Sequence, residues 1–206
     1  MTINLHMIEN LSCVILAGGQ SKRMGQDKAF LNFYGKTFIR VIAEKLSKKC
    51  SQLIVSANKE EYIYRKELEG IDFDFVKDIN PFEGPLNAVS SVSEYIKNDY
   101  VFIATCDTPF INENLIDLYL SIIDSYDGVI PIIDGKFQTL NTLYTKKALE
   151  KAKEVYKESK SLMSWIRNLN YFVPETKAIK QLDNALLTYK SINTPAQYEE
   201  FVIRKI

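Results

Sequence analysis

The chain has 206 residues, with 26 Lys+Arg against 26 Asp+Glu, one histidine and three cysteines; 46% of it is hydrophobic and 25% is charged. That profile belongs to an ordinary globular domain and excludes a collagenous, coiled-coil or disordered chain. Balanced charge argues against nucleic acid as a partner, while a lone His6 with Cys13, Cys50 and Cys106 leaves almost no room for a histidine-rich zinc site, a Ser-His-Asp triad or a disulfide framework.

Any chemistry must therefore rest on carboxylates, lysines, arginines and backbone N–H groups. No basic stretch precedes an apolar run as in a secretory signal, and no run approaches the roughly 18 apolar residues of a membrane helix. The expected setting is the reducing cytoplasm, away from membranes.

Residues 11–16, apolar but for Ser12, read as a short buried strand. Across 37–49, Phe38, Val41, Ile42 and Leu46 recur at helical spacing. A strand over 53–57, a helix over 60–68 and a strand over 73–76 follow. Pro85 opens a helix over 85–96. The β-rich run 100–105 leads to Asn112, an N-cap for a helix carrying Leu115, Leu118, Tyr119 and Ile122. Residues 128–133 read as one strand. This β-α-β-α-β-α-β-α-β order predicts an α/β fold, Rossmann-like, with a mostly parallel sheet and helices on both faces.

The second half changes character. Asp134-Gly135 between two β-like runs predicts a hairpin. Leu149, Ala152, Val155 and Tyr156 mark a helix over 146–157, and a short helix lies around 162–169. Thr194-Pro195-Ala196-Gln197 is a capping box with proline at the first helical position, so Tyr198, Phe201 and Val202 become the buried face of a last helix.

Ligands of such a sheet collect at the carboxyl ends of its strands. After the first strand, three of the eight glycines fall in a short stretch with Lys22, Arg23 and Lys28. Glycines bring backbone N–H groups close to an anion, and the cations neutralise phosphate oxygens. Neither GxxxxGK[ST] nor GxGxxG fits, which weighs against a P-loop or a dinucleotide-binding loop. A glycine-rich surface loop that binds nothing is the competing reading. Asp78 follows the third strand and Asp107 the fourth. Read singly, each is a loop or cap aspartate. Read together across a crevice from a basic loop, they suit nucleotide binding, with Asp107 a hard ligand for Mg²⁺. Cys106 lacks a histidine partner and reads as a packed thiol; Cys13 and Trp165 read as core.

Leu16-Ala17-Gly18-Gly19-x-Ser21-x-Arg23-Met24-Gly25-x-Asp27-Lys28 resembles the signature of the MobA family, the molybdenum cofactor guanylyltransferases. Gly84-Pro85-Leu86, Cys106-Asp107-Thr108-Pro109 and Asn193-Thr194-Pro195 are similar to its later motifs, in the same order and at similar spacing. The resemblance spans nearly the whole chain. It implies a nucleotide-diphospho-sugar-transferase-like fold with a C-terminal hairpin and helix portion. It also implies a single nucleotidyltransferase domain over 1–206, in which 11–133 binds nucleotide and 134–206 serves mainly the acceptor. The implied reaction moves GMP from GTP to the terminal phosphate of molybdopterin and releases pyrophosphate, with Mg²⁺ as cofactor.

By the same resemblance, Leu16, Ala17 and Gly18 would meet guanine and ribose, with Gly19 beside them. Lys28 would hold the triphosphate, Asp78 would contact the nucleotide and Asp107 would hold Mg²⁺. Lys28, Arg23 and Asp107 form the catalytic set. Arg23, Gly25, Gly84 and Asn193 match positions lining the pterin side. An apo-molybdoenzyme or its chaperone would receive the product. The chain departs from the family pattern at Ser56, Ala88, Gln138 and Ser191. Two other readings stand beside this one: a related, for example CTP-dependent, transferase acting on another phosphorylated acceptor, and a non-catalytic carrier of pterin or nucleotide.

Overall fold

The computed structural model describes residues 7–19, 21 and 24–203, so His6, Lys22 and Arg23 lie outside the described residues. The chain runs through β1 (Ile8–Leu16), a 3-10 turn (Lys28–Phe30), the hairpin β2 (Asn32–Phe33) and β3 (Lys36–Thr37), then α1 (Phe38–Leu46), β4 (Cys50–Ala57), α2 (Glu61–Glu67) and β5 (Asp74–Lys77). Next come α3 (Pro85–Val92), continued by a 3-10 turn (Ser93–Tyr95), β6 (Tyr100–Thr105), α4 (Leu115–Ile122) and β7 (Gly128–Val129). The second half holds the hairpin β8 (Ile132–Ile133) and β9 (Lys136–Phe137), then β10 (Thr142–Thr145), α5 (Lys146–Glu158), α6 (Leu162–Ile166), β11 (Tyr171–Phe172) and α7 (Thr176–Leu182). A 3-10 turn (Leu187–Tyr189) leads to α8 (Pro195–Tyr198), which passes into a π-helical turn (Glu199–Ile203).

The main sheet has the order β11-β7-β10-β6-β1-β4-β5. β1 pairs in parallel with β4 and β6, β4 with β5, and β7 with β11; β10 runs antiparallel to β6 and β7. The apolar run of β1 is explained by burial on both sides. Successive side chains point to opposite faces. Leu11, Cys13 and Ile15 join Ile39, Ile42, Leu115 and Tyr119 in one core layer, whereas Val14 and Leu16 join Val89, Val92, Leu149 and Trp165 in the other. Trp165 is wholly buried and donates from Nε1 to the carbonyl of Ala148 at 2.8 Å, as a core residue would.

Five local expectations change. In α1 the face on the sheet is Ile39, Ile42, Ala43 and Leu46; Phe38 turns into a third, smaller cluster and Val41 is only half-buried. The run 128–133 breaks at Pro131, whose missing N–H cannot serve a ladder, so its first part joins the sheet and its second forms a separate hairpin. Asn112 stands three residues ahead of the helix start: its side chain accepts from the N–H of Asn114 at 3.0 Å, and the helix begins at Leu115. The helix over 85–96 tightens into a 3-10 turn after Val92. The capping box is rearranged: Thr194 accepts from Gln197 N–H, but the Gln197 side chain reaches back to the N–H of Asn193, not of Thr194. The turn at Asp134-Gly135 is present as expected, with φ of 50° and 73°, the left-handed pair a two-residue hairpin requires.

The sheet-facing stripe of α1 can be tested by denaturant unfolding. Ile39→Ala leaves a cavity in the core and is expected to cost about 2–5 kcal/mol, against under about 1 kcal/mol for Val41→Ala. Equal losses would contradict this register.

Candidate functional site

The strand order reverses at β1, with β4 on one side and β6 on the other. Loops leaving β1 and β6 therefore diverge and open a crevice at the carboxyl end of the sheet. The two strands stay joined to its edge, where Cys106 N–H donates to the carbonyl of Leu16 at 3.1 Å.

Lys28 opens the 3-10 turn behind the glycine-rich loop. Its own N–H donates to Ser21 Oγ at 3.0 Å, and Asp27 caps the turn by accepting from Ala29 N–H at 3.0 Å. The Lys28 side chain crosses the crevice. Its Nζ donates to Asp107 Oδ2 at 3.1 Å and to Asn193 Oδ1 at 2.6 Å. The other Asp107 oxygen accepts from Thr105 Oγ1 at 2.7 Å, and the Asp107 carbonyl accepts from Ile192 N–H at 2.8 Å. Asn193 is itself steered: its Nδ2 donates to Ser191 Oγ at 2.7 Å. The loop after β6 is braced from below by buried Asn141, whose Oδ1 accepts from Thr105 N–H at 3.1 Å and Thr108 Oγ1 at 3.2 Å.

The far end of the crevice is built differently. Asp78 is buried and accepts from Ser56 Oγ at 2.6 Å. Burial pushes its carboxyl above the ordinary carboxylate range, against the opposing pull of bonds from Ser56 and Asn58. Asn58 Nδ2 donates to the carbonyl of Gly18, while its Oδ1 is buried without a partner among the described residues. Gly18 is a glycine of necessity: a Cβ there would lie 2.3 Å from Asp78 Oδ2 and 2.6 Å from Asn58 Nδ2.

A cavity of about 330 Å³ joins the two ends, lined by Leu16, Gly18, Gly19, Lys28, Asp78, Gly84 and Asp107 among others. A neighbouring cavity of about 540 Å³ takes in Ala17, Gly25, Ser21 and Asp27, and shares Gly18, Gly19, Asn58 and Phe82 with the first. The structure thus gathers Leu16, Ala17, Gly18, Gly19, Gly25, Lys28, Asp78, Gly84 and Asp107 around one crevice. Asn193 reaches it through Lys28; Arg23 lies outside the described residues. Thr105, Asn58, Phe82 and Asn141 complete the site and were not singled out from sequence. Thr105 carried a usable signal, since a polar residue two before Asp107 at a strand end shares its side.

Among the described residues the crevice offers a cation, a carboxylate and buried acceptors, but no activated nucleophile. Burial, reinforced by the neighbouring Asp107, pushes the Cys106 thiol far up, so it is a packed group. Among the described residues no three His, Cys, Asp or Glu side chains converge as a metal cage. A single hard carboxylate still fits Mg²⁺, which completes its shell with phosphate oxygens and water.

Comparison with known proteins places the chain's family and fold. A family model described as the MobA-like NTP transferase domain matches residues 13–174. A probable molybdenum cofactor guanylyltransferase from Clostridium perfringens (strain SM101 / Type A) is 32% identical, covering 94% of this chain and 97% of its own. One from Natranaerobius thermophilus is 30% identical, covering 94% and 96%. The crystal structure of molybdopterin-guanine dinucleotide biosynthesis protein A from Archaeoglobus fulgidus superposes with a TM-score of 0.78 at 21% identity, covering 95% of this chain and all of that one. A 4-diphosphocytidyl-2C-methyl-D-erythritol synthase from Anaerococcus prevotii gives 0.67 at 14% identity, covering 90% and 91%. These two likenesses speak to the fold alone.

Asp78 supplies a pH test. Its carboxyl holds a proton more tightly folded than unfolded, so stability falls as pH rises from the unfolded value near 3.8 through the folded one. Asp78→Asn is expected to melt above wild type at pH 7, with the gap closing below that unfolded value. A gap of constant size across the range would contradict the assignment.

Proposed function

The chain belongs to the MobA-like NTP transferases, and on that premise we propose that it transfers GMP from GTP to the terminal phosphate of molybdopterin, releasing pyrophosphate. The observation that carries this reading is the meeting of Lys28, Asp107 and Asn193 at the point where the strand order reverses. A phosphate oxygen of the acceptor attacks the α-phosphorus in line. The new P–O bond forms as the bond to the bridging oxygen breaks, and pyrophosphate leaves with that electron pair. The attacking phosphate is already ionised at neutral pH, so no general base is needed. This suits a crevice without an activated nucleophile.

Lys28 neutralises phosphate oxygens, joined by Arg23, and Asn193 fixes where the ammonium sits. Asp107 would hold Mg²⁺, whose contribution is charge neutralisation at the phosphates. Catalysis is then positioning plus electrostatics. At the far end, Asp78 and the unpartnered Asn58 Oδ1 are acceptors. They suit guanine, whose ring edge carries both an N–H and an amino group; cytosine carries only the amino group there. That difference favours GTP over the CTP reading. Two departures from the family pattern still take part: Ser191 orients Asn193, and Ala88 lines the cavity. We place the reaction in the cytoplasm, with an apo-molybdoenzyme or its chaperone receiving the product. Among the described residues no helix is long and apolar enough to cross a membrane.

Incubation with GTP, Mg²⁺ and molybdopterin, followed by mass detection of the guanylated product, tests the proposal. Lys28→Ala and Asp107→Ala are each expected to lower turnover by about 10²–10³ with unchanged melting temperature. Use of CTP with GTP ignored would overturn the guanylyl assignment. GTP binding without pyrophosphate release in the presence of acceptor would favour the carrier.

A further inference from the structure

Phe82 occupies a position that chemistry alone does not explain. Residues 80–83 form a turn closed by Glu83 N–H on the carbonyl of Asn80 at 3.4 Å, with Pro81 second and Phe82 third. The φ of Phe82 is 67°. Positive φ at the third position alone defines a type II turn, where glycine is the ordinary occupant. A bulky aromatic residue is a genuine outlier there. Its ring gains little from the protein, being 53% exposed. Backbone strain of this kind persists only where the surroundings enforce it, and it gathers at binding sites.

The surroundings do enforce it. On one side, Ile79 N–H donates to Ser91 Oγ at 2.9 Å, and the Asn80 backbone exchanges two bonds with the side chain of Asn87. On the other, Glu83 is gripped by Tyr156, whose hydroxyl donates to it at 2.5 Å, and by Lys160 at 2.7 Å. The Lys160 ammonium also lies 3.6 Å from the centroid of the Tyr156 ring. Helices α3 and α5 thus clamp both ends of the turn. The ring between the clamps lines both cavities of the crevice, together with Gly18, Gly19 and Asn58. It follows Asp78, the acceptor at the base end, by four residues.

We propose that Phe82 is a nucleotide-binding residue, a stacking platform on which the flat base of the bound nucleotide lies. Resting on the nucleotide-site reading above, it adds a face to a pocket whose other groups meet only the edge of the base. Aromatic side chains bind bases through their π-faces, an attraction that does not depend on hydrogen-bond pattern. Phe82 therefore contributes affinity for a nucleotide, while Asp78 and Asn58 select which one.

The test uses the whole chain with GTP and Mg²⁺. By calorimetry, Phe82→Ala and Phe82→Gly are expected to bind GTP about tenfold more weakly, and Phe82→Tyr within about twofold of wild type. Phe82→Gly relieves the turn and is expected to melt no lower than wild type, which separates lost stacking from lost folding. Phe82→Trp adds an exposed indole to a chain whose single native tryptophan, Trp165, is wholly buried. GTP is expected to quench the added emission, and inorganic tripolyphosphate is not. Wild-type affinity in Phe82→Ala, or bound GTP without quenching in Phe82→Trp, would overturn the platform and leave the nucleotide site standing. Absence of GTP binding by wild type would overturn both.

Discussion

Everything in this structure serves to bring one ammonium to one carboxylate. Lys28 and Asp107 lie 79 positions apart, yet their charged atoms sit 3.1 Å apart with the side chains only 16% and 18% exposed. They meet because β1 and β6 are parallel neighbours whose ends open on the same side. Parallel neighbours require crossover connections, and crossovers place helices over the sheet. A central strand covered on both faces must be largely apolar. The run 11–16, apolar but for Ser12, whose hydroxyl is satisfied by Gln52, is thus a condition of the ion pair.

The pair is held in a way that leaves it available. Partly screened charges in such a crevice attract without the heavy desolvation of a buried pair. An ammonium has three donors; Asp107 and Asn193 take two of those on Lys28. Thr105 holds the far oxygen of Asp107, so the carboxylate keeps its place when Lys28 turns to a phosphate. The C-terminal segment has a matching purpose. Ile192 and Val202 pack with Leu31 and Phe38 in the third cluster, tying the chain end to the hairpin β2–β3. That packing delivers Asn193 to a lysine 165 positions earlier.

The α/β class, the central strand, the glycine-rich loop, Asp78 and Asp107 were legible because each depends on a local pattern; Leu16, Ala17, Gly25, Gly84 and Asn193 came from the family resemblance. An apolar run reads as a covered strand, and glycines beside cations read as an anion loop. Asp107 announced itself as a carboxylate leaving a strand. What was not legible depends on partners distant in sequence. β10 is a four-residue strand whose place between β6 and β7 follows from pairing, not from composition. Asn141 looks like any loop asparagine until its amide is seen bridging Thr105, Thr108 and Thr188. Val41 and Ile39 are equally apolar, and only the sheet decides which faces it. Phe82 sits in a turn that sequence would assign to glycine, so its meaning lay in the violation of a local rule.

The two ends of β5 show how stability and function divide the molecule. At its amino end Asp74 accepts from Gln52 Nε2 at 2.8 Å and from Lys97 at 3.1 Å, and these bonds, the Gln52 one foremost, hold its carboxyl below the ordinary range. Gln52 in turn accepts from Ser12 and from Lys97 N–H, so the network is closed. Just past the carboxyl end stands Asp78, pushed the opposite way by burial, beside an acceptor with no partner and a glycine that tolerates no side chain. The signs of linkage are opposite too. Asp74 adds stability that is present at neutral pH and lost as pH falls, whereas Asp78 subtracts stability as its proton leaves. A strand this short cannot dilute that contrast. Among the described residues the amino end of β5 is satisfied by its own network, whereas at the carboxyl end Asn58 Oδ1 has no partner, which is the physical condition for binding one.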